Sequence, residues 1–478
     1  MLFHTLDYVF FLTLVVLLYW GLPRAWRVLL LAASSLFFYG SWNPAYLPVL
    51  AVVLGIAWAG GRWLDLWRHY GGHQARRSLI LVLLVTPLFF FKYFDWLANS
   101  VESGLSHLGL SLGLPRVELP LPVGISFFTF QAMAYVIDVG RAVDKGTPEA
   151  SDRSPLRFLV YQTWFPQLIA GPIVRAGDIL PQLRALPLLR AGDIGAGLFR
   201  IGQGLFKKVL IADPVRVAMV DPVFTDPAAF TGLELLVALY AYSLQIYADF
   251  SGYSDIAVGS ARLFGIVLPE NFRSPYKATS VAGFWRRWHI TLSDWVRDYV
   301  YFPLGGARAS EEWKVYRNIF ITMVIIGIWH GANWTFVLYG VLHGLASCLN
   351  RLRRKSHGRD PDAPPGGAWA FAWRWALTFH FVVLARILFR AEDLGQAADI
   401  SLALLDLGTL LPRFSPSAWA VLALGYALHF LPDRWTDRAE DWFVSRSPLV
   451  WALILAALGA GALAMGTGEH LAFVYYQF

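Results

Sequence analysis

The chain has 478 residues, 56% of them hydrophobic and only 15% charged, against roughly 25% charged in a soluble domain, which excludes an ordinary soluble protein. Its 21 Trp and 20 Tyr suit the aromatic belts of a membrane protein, and the net charge of +7 lies in loops between apolar runs, so nucleic acid is not an expected partner. A lone cysteine, Cys348, excludes an internal disulfide and any metal centre built on several thiolates, and no metal is expected.

The first apolar run, residues 8–22, lacks the basic flank and small-residue cleavage site of a signal peptide and is expected to be a retained anchor. Further crossings are expected at 28–42, 45–63, 79–97 and 121–140. The loops alternate: Arg24 and Arg27 in the first, Arg62, Arg68, Arg76 and Arg77 in the third, and Arg141, Lys145, Arg153 and Arg157 after the fifth crossing. Basic loops stay in the cytoplasm, which predicts an extracytoplasmic N-terminus.

Residues 158–175, broken by Pro166 and Gly171-Pro172, are expected to re-enter rather than cross. Residues 198–220 interrupt an apolar face with Arg200, Lys207 and Lys208, which predicts a helix at the cytoplasmic interface. A crossing at 233–250 follows, and the basic, aromatic stretch 271–317 is too interrupted to span. Residues 318–341 contain no Lys, Arg, Asp or Glu and are expected to cross, with His330 and Asn333 one helical turn apart in the middle. Residues 351–367 form a cytoplasmic loop, crossings follow at 369–388, 418–431 and 449–465, and the tail carrying Glu469 is expected outside. The expected fold is therefore all-α: a polytopic integral membrane protein with ten or eleven transmembrane helices plus re-entrant and interfacial pieces, in one domain over residues 1–478. No internal repeat is evident, which weakens a transporter built from inverted repeats.

Four stretches place polar groups where a bilayer disfavours them. YADFSGYSD (247–255) carries Asp249 and Asp255 beside a crossing, either as caps at a helix break or as the lining of an internal cavity. GFWRRWHITLSDWVRDYVYFPLGG (283–306) alternates Trp285 and Trp288 with Arg286 and Arg287, as at a cytoplasmic interface. Its His289 is either a snorkelling interfacial histidine or a site residue, and Asp294, Arg297 and Asp298 make a helical ion-pair set. GIWHGANW (327–334) holds Trp329, His330 and Asn333, and WFPQLIAGPIVR (164–175) holds Gln167 and Arg175. A buried histidine can simply bond a neighbouring helix. It can also act as a base near pH 7, with Asn333 or an indole N–H as a donor to a developing oxyanion. The sequence contains no G-x-S-x-G elbow.

These motifs, GFWRRWHITLSDWVRDYVYFPLGG followed by GIWHGANWTFVLYGVLHG, resemble the signature of the membrane-bound O-acyltransferase family. YADFSGYSDIAVGSARLFGI, PENFRSPY, FPQLIAGPIVR, the N-terminal LYWGLP and SSLFFYGSWNP, and the C-terminal FVYYQF are similar to its bacterial alginate O-acetyltransferase branch. The resemblance implies the fold of that family and His330 as catalytic residue, with His289 supporting it or lining a substrate channel. It also implies an acetyl group taken from a cytoplasmic donor, acetyl-CoA, with no bound cofactor, for an extracytoplasmic polysaccharide such as alginate, another exopolysaccharide, cellulose or peptidoglycan. A separate periplasmic SGNH-type partner and a bacterial inner-membrane location follow from the same likeness, and the pattern of basic loops puts both termini outside. Asn333, Trp329, Asp249, Arg286, Trp285 and Gln167 are the expected substrate-binding residues. Direct attack and an acyl-histidine intermediate both remain open. The rivals are D-alanyl transfer to teichoic acid and saccharide or lipid transport without acyl chemistry.

Overall fold

The computed structural model describes residues 1–147, 150–169, 171–357, 366–406, 413–465 and 473, and all regular structure among them is helical. The expected position of Glu469 and of most of the FVYYQF tail falls outside the described residues. The chain forms two compact units, Met1–Arg190 with Ser260–Leu268, and Ala191–Gly259 with Pro269–Phe478.

The first unit contains α1 (Leu6–Gly21), α2 (Arg24–Gly40), α3 (Leu47–Leu66), α4 (His73–Leu88), α5 (Phe94–Ser106) and α6 (Ile125–Asp144). Each of the five expected N-terminal crossings falls on one of these helices. The fourth is longer than expected: after Pro87, which removes a backbone donor, a wide π turn at Phe89–Tyr93 carries α4 into α5, giving an apolar stretch from His73 to Ser106. On α1, Tyr8, Phe11, Leu12, Val15 and Tyr19 are buried while Leu6, Phe10, Leu14 and Leu17 are exposed. A helix that turns Leu and Phe outward and Tyr inward is facing lipid, and the Tyr8 hydroxyl finds Ser260 Oγ at 2.9 Å inside. Helices α3, α4 and α6 pack closely through glycine: a Cβ on Gly61 would lie 2.5 Å from the Tyr135 ring, and one on Gly60 2.7 Å from Ile80. The stretch expected to re-enter is broken and buried. Helix α7 (Pro155–Thr163) ends at Trp164, α8 (Phe165–Leu168) lasts one turn, and irregular backbone leads to α9 (Ala176–Ala185), with the side chains of 160–169 all buried.

The second unit begins with α10 (Ala191–Leu205), α11 (Asp213–Val215) and α12 (Asp221–Thr225), joined by wide turns at Phe206–Ala212 and Arg216–Val220. This run is not an interfacial helix, as the sequence suggested. It lies along α13 (Gly232–Arg262), where a Cβ on Gly204 would come 2.4 Å from the Gly252 carbonyl and one on Gly259 2.5 Å from the Gly197 carbonyl. The contact brings charges together inside the protein. Lys208, 1% exposed, is 2.8 Å from both Asp249 and Asp213; Lys207 is 2.6 Å and Arg200 2.8 Å from Asp255. Helix α13 continues unbroken through YADFSGYSD, so Asp249 and Asp255 cap no helix break; they hold the cations of the facing run. Isolated, each charge would cost several kcal/mol to bury, and pairing offsets much of that.

Then follow α14 (Val281–Trp285), α15 (Ile290–Val296), α16 (Glu312–His330), α17 (Trp334–His357), α18 (Ala368–Arg390), α19 (Leu394–Ala403), α20 (Pro416–Phe430), α21 (Asp433–Val444) and α22 (Pro448–Met465). The stretch expected to be one crossing at 318–341 is instead the tip of an antiparallel hairpin. Gly331 is extended (φ −162°) and ends α16. Helix α17 then returns along α16, with Gly340 against Met323 and Gly327, Gly344 against Phe320, and Lys355 ion-paired with Glu312 at the open end. Two half-length apolar runs, each ending at the tip, had summed to one charge-free interval. By length and apolarity alone Pro44–Leu66, His73–Ser106 and Ala368–Arg390 suffice to cross a bilayer, and Leu6–Gly21 and Pro448–Ala462 are shorter apolar helices.

A Cβ on Gly327 would lie 2.3 Å from the Phe336 carbonyl and 2.9 Å from Gly340 Cα, whereas one on Gly104 meets nothing within 4 Å. Gly327→Ala should therefore lower unfolding stability in detergent by about 1–3 kcal/mol, the usual cost of overpacking. Gly104→Ala should raise it by up to about 1 kcal/mol through helix propensity. Thermal unfolding of the two variants beside wild type checks both signs.

Candidate active site

His330 closes α16 and is 2% exposed. Its imidazole sits among rings, 5.2 Å from Trp329, 5.1 Å from Phe389 and 6.2 Å from Tyr339 by centroid. Gly331 permits this: a side chain there would overlap the Phe336 ring at 2.2 Å. Contact with Phe389 places His330 level with the last turn of α18, one residue before Arg390, and not in the middle of a charge-free crossing as expected. Asn333 is not a helical turn from His330, because the helix breaks between them. Its Oδ1 accepts the Thr335 N–H at 3.0 Å and its Nδ2 donates to the Glu392 carbonyl, so the amide starts α17 and ties the tip to the end of α18.

His289 is fully buried and shares the Trp329 indole with His330, at 5.6 Å. Its backbone is left-handed (φ 44°), a conformation that histidine and asparagine enter more readily than most residues. Asn271 fixes this turn. Its carbonyl accepts the Ile290 N–H at 2.9 Å, and its Oδ1 accepts from Thr291 Oγ1 at 2.9 Å and from His289 Nδ1 at 3.1 Å, while Nδ2 donates to Ser254. An acceptor at Nδ1 sets the tautomer: the proton is on Nδ1 and the lone pair on Nε2. Burial pushes the pKa of His289 down to about 3.

On the other side of His330, α17 presents Tyr339 and His343 one turn apart, with ring centroids at 4.4 Å. Trp285 Nε1 donates to His343 Nδ1 at 3.1 Å, which leaves the proton on Nε2. Neither that nitrogen nor the Tyr339 hydroxyl has a hydrogen-bond partner among the described residues, although both residues are buried. Orphaned donors beside a histidine are the sign of a site that receives something. Arg386 of α18 is fully buried with its guanidinium 4.5 Å from the Trp288 ring and 5.3 Å from Phe389, a cation within the same aromatic cluster.

The membrane-bound O-acyltransferase family matches residues 139–385, which include both histidines. The chain is 37% identical over 408 residues to a peptidoglycan O-acetyltransferase of Helicobacter pylori, covering 79% of this chain and 73% of that one. It is 36% identical over 496 residues to a probable alginate O-acetylase of Pseudomonas putida, covering 98% of each. A teichoic acid D-alanyltransferase of Bacillus subtilis is 27% identical over 324 residues, covering 65% of this chain and 77% of that one.

The chain belongs to the membrane-bound O-acyltransferase family. It is an integral membrane acyltransferase, and all of the expected site residues except Gln167 fall in its second unit. Around His330 the structure of this acyltransferase gathers Trp329 and, through that indole, His289; Trp285 joins through His343. Asp249 is held by Lys208 instead, and Arg286 is exposed at the end of α14, whereas its neighbours Trp285 and Trp288 are buried within the protein. In the first unit Gln167 is buried and donates to the Tyr161 carbonyl. The sequence reading passed over Asn271, Tyr339, His343 and Arg386. Asn271, Tyr339 and His343 lay within quoted motifs, and Arg386 was a charge inside an otherwise apolar run.

The depressed pKa of His289 has a direct consequence for stability. Its folded form stays neutral while the unfolded chain takes up a proton below about pH 6.5. The contribution is intact above that pH and lost progressively as pH falls towards 3. Between pH 7 and pH 5 this amounts to about 2 kcal/mol. His289→Asn tolerates the left-handed backbone but cannot protonate, so the stability gap between it and wild type should narrow by that amount over the same interval. Parallel pH profiles in detergent unfolding would refute the assignment.

Proposed function

We propose that this acyltransferase takes an acetyl group from acetyl-CoA at the cytoplasmic face and delivers it for O-acetylation of an extracytoplasmic polysaccharide, with His330 as general base. The observation that carries the reading is the position of His330 at a buried hairpin tip between Trp329, which His289 also touches, and Tyr339, which His343 also touches, with the Tyr339 hydroxyl and His343 Nε2 lacking partners among the described residues. Relatives named for acetylating peptidoglycan or alginate are 35–37% identical, against 26–27% for those named for D-alanyl transfer, which favours acetyl.

In the proposed step His330 removes the proton of an acceptor hydroxyl as its oxygen attacks the thioester carbonyl. The carbon–sulfur bond breaks, and the imidazolium returns the proton to the departing thiolate. The proposed donor to the oxyanion is Tyr339, whose hydroxyl has no partner among the described residues, in preference to Asn333, whose amide is held by the Glu392 carbonyl and the Thr335 N–H. Trp329 and His289 form the wall beside the base. The acceptor that leaves this site is proposed to be an SGNH-type partner, which completes transfer to the polymer.

Purified full-length chain with radiolabelled acetyl-CoA and a hydroxyl acceptor tests this. His330→Ala should keep its helicity and detergent stability while acetyl transfer falls by about 10²–10⁴. Tyr339→Phe should lose about 10²–10³, in kcat more than in KM. Near wild-type transfer by His330→Ala would overturn the mechanism, and transfer of D-alanine from a carrier protein but not of acetyl would favour the rival.

The proposed location is the bacterial inner membrane, with both termini extracytoplasmic. Arg76 and Glu102 lie at opposite ends of the His73–Ser106 stretch, and Lys355 at the open end of the α16–α17 hairpin. In a Cys348→Ser background, cysteines at Arg76 and Lys355 should react only from the cytoplasmic side and one at Glu102 only from outside. The opposite pattern would invert the topology.

A further inference from the structure

Away from the histidines, the second unit contains a cavity of about 650 Å³ between α10 and its following wide turn, α13, α20, α21 and α22. From its geometry we propose that it is a binding site for a zwitterionic phospholipid, one whose head group carries a phosphate and an amine.

The lining of the cavity is of two kinds. Phe206, Leu244, Leu455 and Leu458 make its apolar part. Arg200, Lys207, Asp255, Glu270, Arg273 and Asp437 make its polar part. Two of the cations are already committed: Arg200 to Asp255 and Glu270, and Lys207 to Asp255. Arg273 and Asp437 are exposed, and neither has an ion-pair partner among the described residues. They offer one charge of each sign. A polyanion such as a nucleotide diphosphate finds too few uncommitted cations here, and an anionic lipid meets Asp437 without an amine to satisfy it.

A buried donor completes the match. His429 lines the cavity and is 5% exposed; its Nε2 accepts the Tyr276 N–H at 3.1 Å, so its proton is on Nδ1, which has no partner among the described residues. A lipid phosphate or ester carbonyl supplies the missing acceptor. The surroundings are those of a lipid. Helix α21 sets Asp433, Arg434, Asp437 and Arg438 against Trp435, Trp442 and Phe443, the composition of a helix lying in the membrane interface. Helix α22 is apolar and turns Leu449 and Leu453 outward. A cavity beneath an interfacial helix and beside a lipid-facing one lies where a head group and its chain sit at different depths.

The test uses purified full-length chain in detergent, titrated with phosphatidylethanolamine or phosphatidylglycerol and read by native mass spectrometry. Wild type should retain phosphatidylethanolamine better by up to about fivefold, the size of one exposed ion pair. Asp437→Lys, on an exposed position, should lose that preference or reverse it. Leu458→Trp should weaken phosphatidylethanolamine binding about tenfold by filling the apolar part, with unfolding in lipid-free detergent unchanged. Equal retention of the two lipids by wild type, or an undiminished preference in Asp437→Lys, would overturn the proposal whatever the fate of Leu458→Trp.

Discussion

Everything at the candidate site depends on how closely two backbones approach. Helices α16 and α17 meet at Gly327 and Gly340 with no room for a Cβ between them, and this contact converts a long apolar run into a hairpin. Only then does His330 stand at a tip, with Tyr339 and His343 of the returning helix on one side and the end of α18 on the other. In a bilayer the hydrophobic effect does not drive helices together, so packing of small residues carries the association. Position of His330 and stability of the hairpin are thus one property.

A second contact of the same kind governs charge. Where α10 and α13 touch through Gly197, Gly204, Gly252 and Gly259, three cations and two aspartates are drawn into the interior. Close glycine contact shortens the reach each side chain needs, and a short, buried pair in a low dielectric is worth far more than the same pair in water. Asp249 thereby serves the fold, whereas beside His330 the Tyr339 hydroxyl and His343 Nε2 have no partner among the described residues. The division is physical: one group of polar residues is ion-paired, and the other retains two unused donors.

Much of this was legible in the sequence. Apolar length located the N-terminal helices, since a run such as residues 8–22 has only one way to satisfy its backbone in lipid. His330 and His289 stood out because polar groups in apolar or aromatic settings are costly. The hairpin was not legible, because Gly331 ends a helix without a charge or a proline to announce it. Nor was the burial of Lys207 and Lys208, whose partners lie more than 40 residues away at Asp255 and Asp249. Locally, such a segment has the pattern of an interfacial helix; only the facing chain shows otherwise. Tyr339 and His343 carried a signal that was available, one helical turn apart on the helix after GIWHGANW. Arg386 carried another, a guanidinium near the end of an apolar run.

The wide turns at Phe206–Ala212 and Arg216–Val220 make the length of that segment a fixed quantity. A π turn accommodates one more residue than an α turn, and removing that residue restores ordinary winding. The helix beyond would keep its facing, and the residues inside the turn would each move by one position. Lys207 and Lys208 lie inside the first turn, so they are the groups whose aim at Asp255 and Asp249 depends on the surplus residue. Loops elsewhere in the chain absorb insertions and deletions, but here the residue count acts as a key cut to a lock: a single deletion leaves the flanking helices in register and displaces the lysines between them.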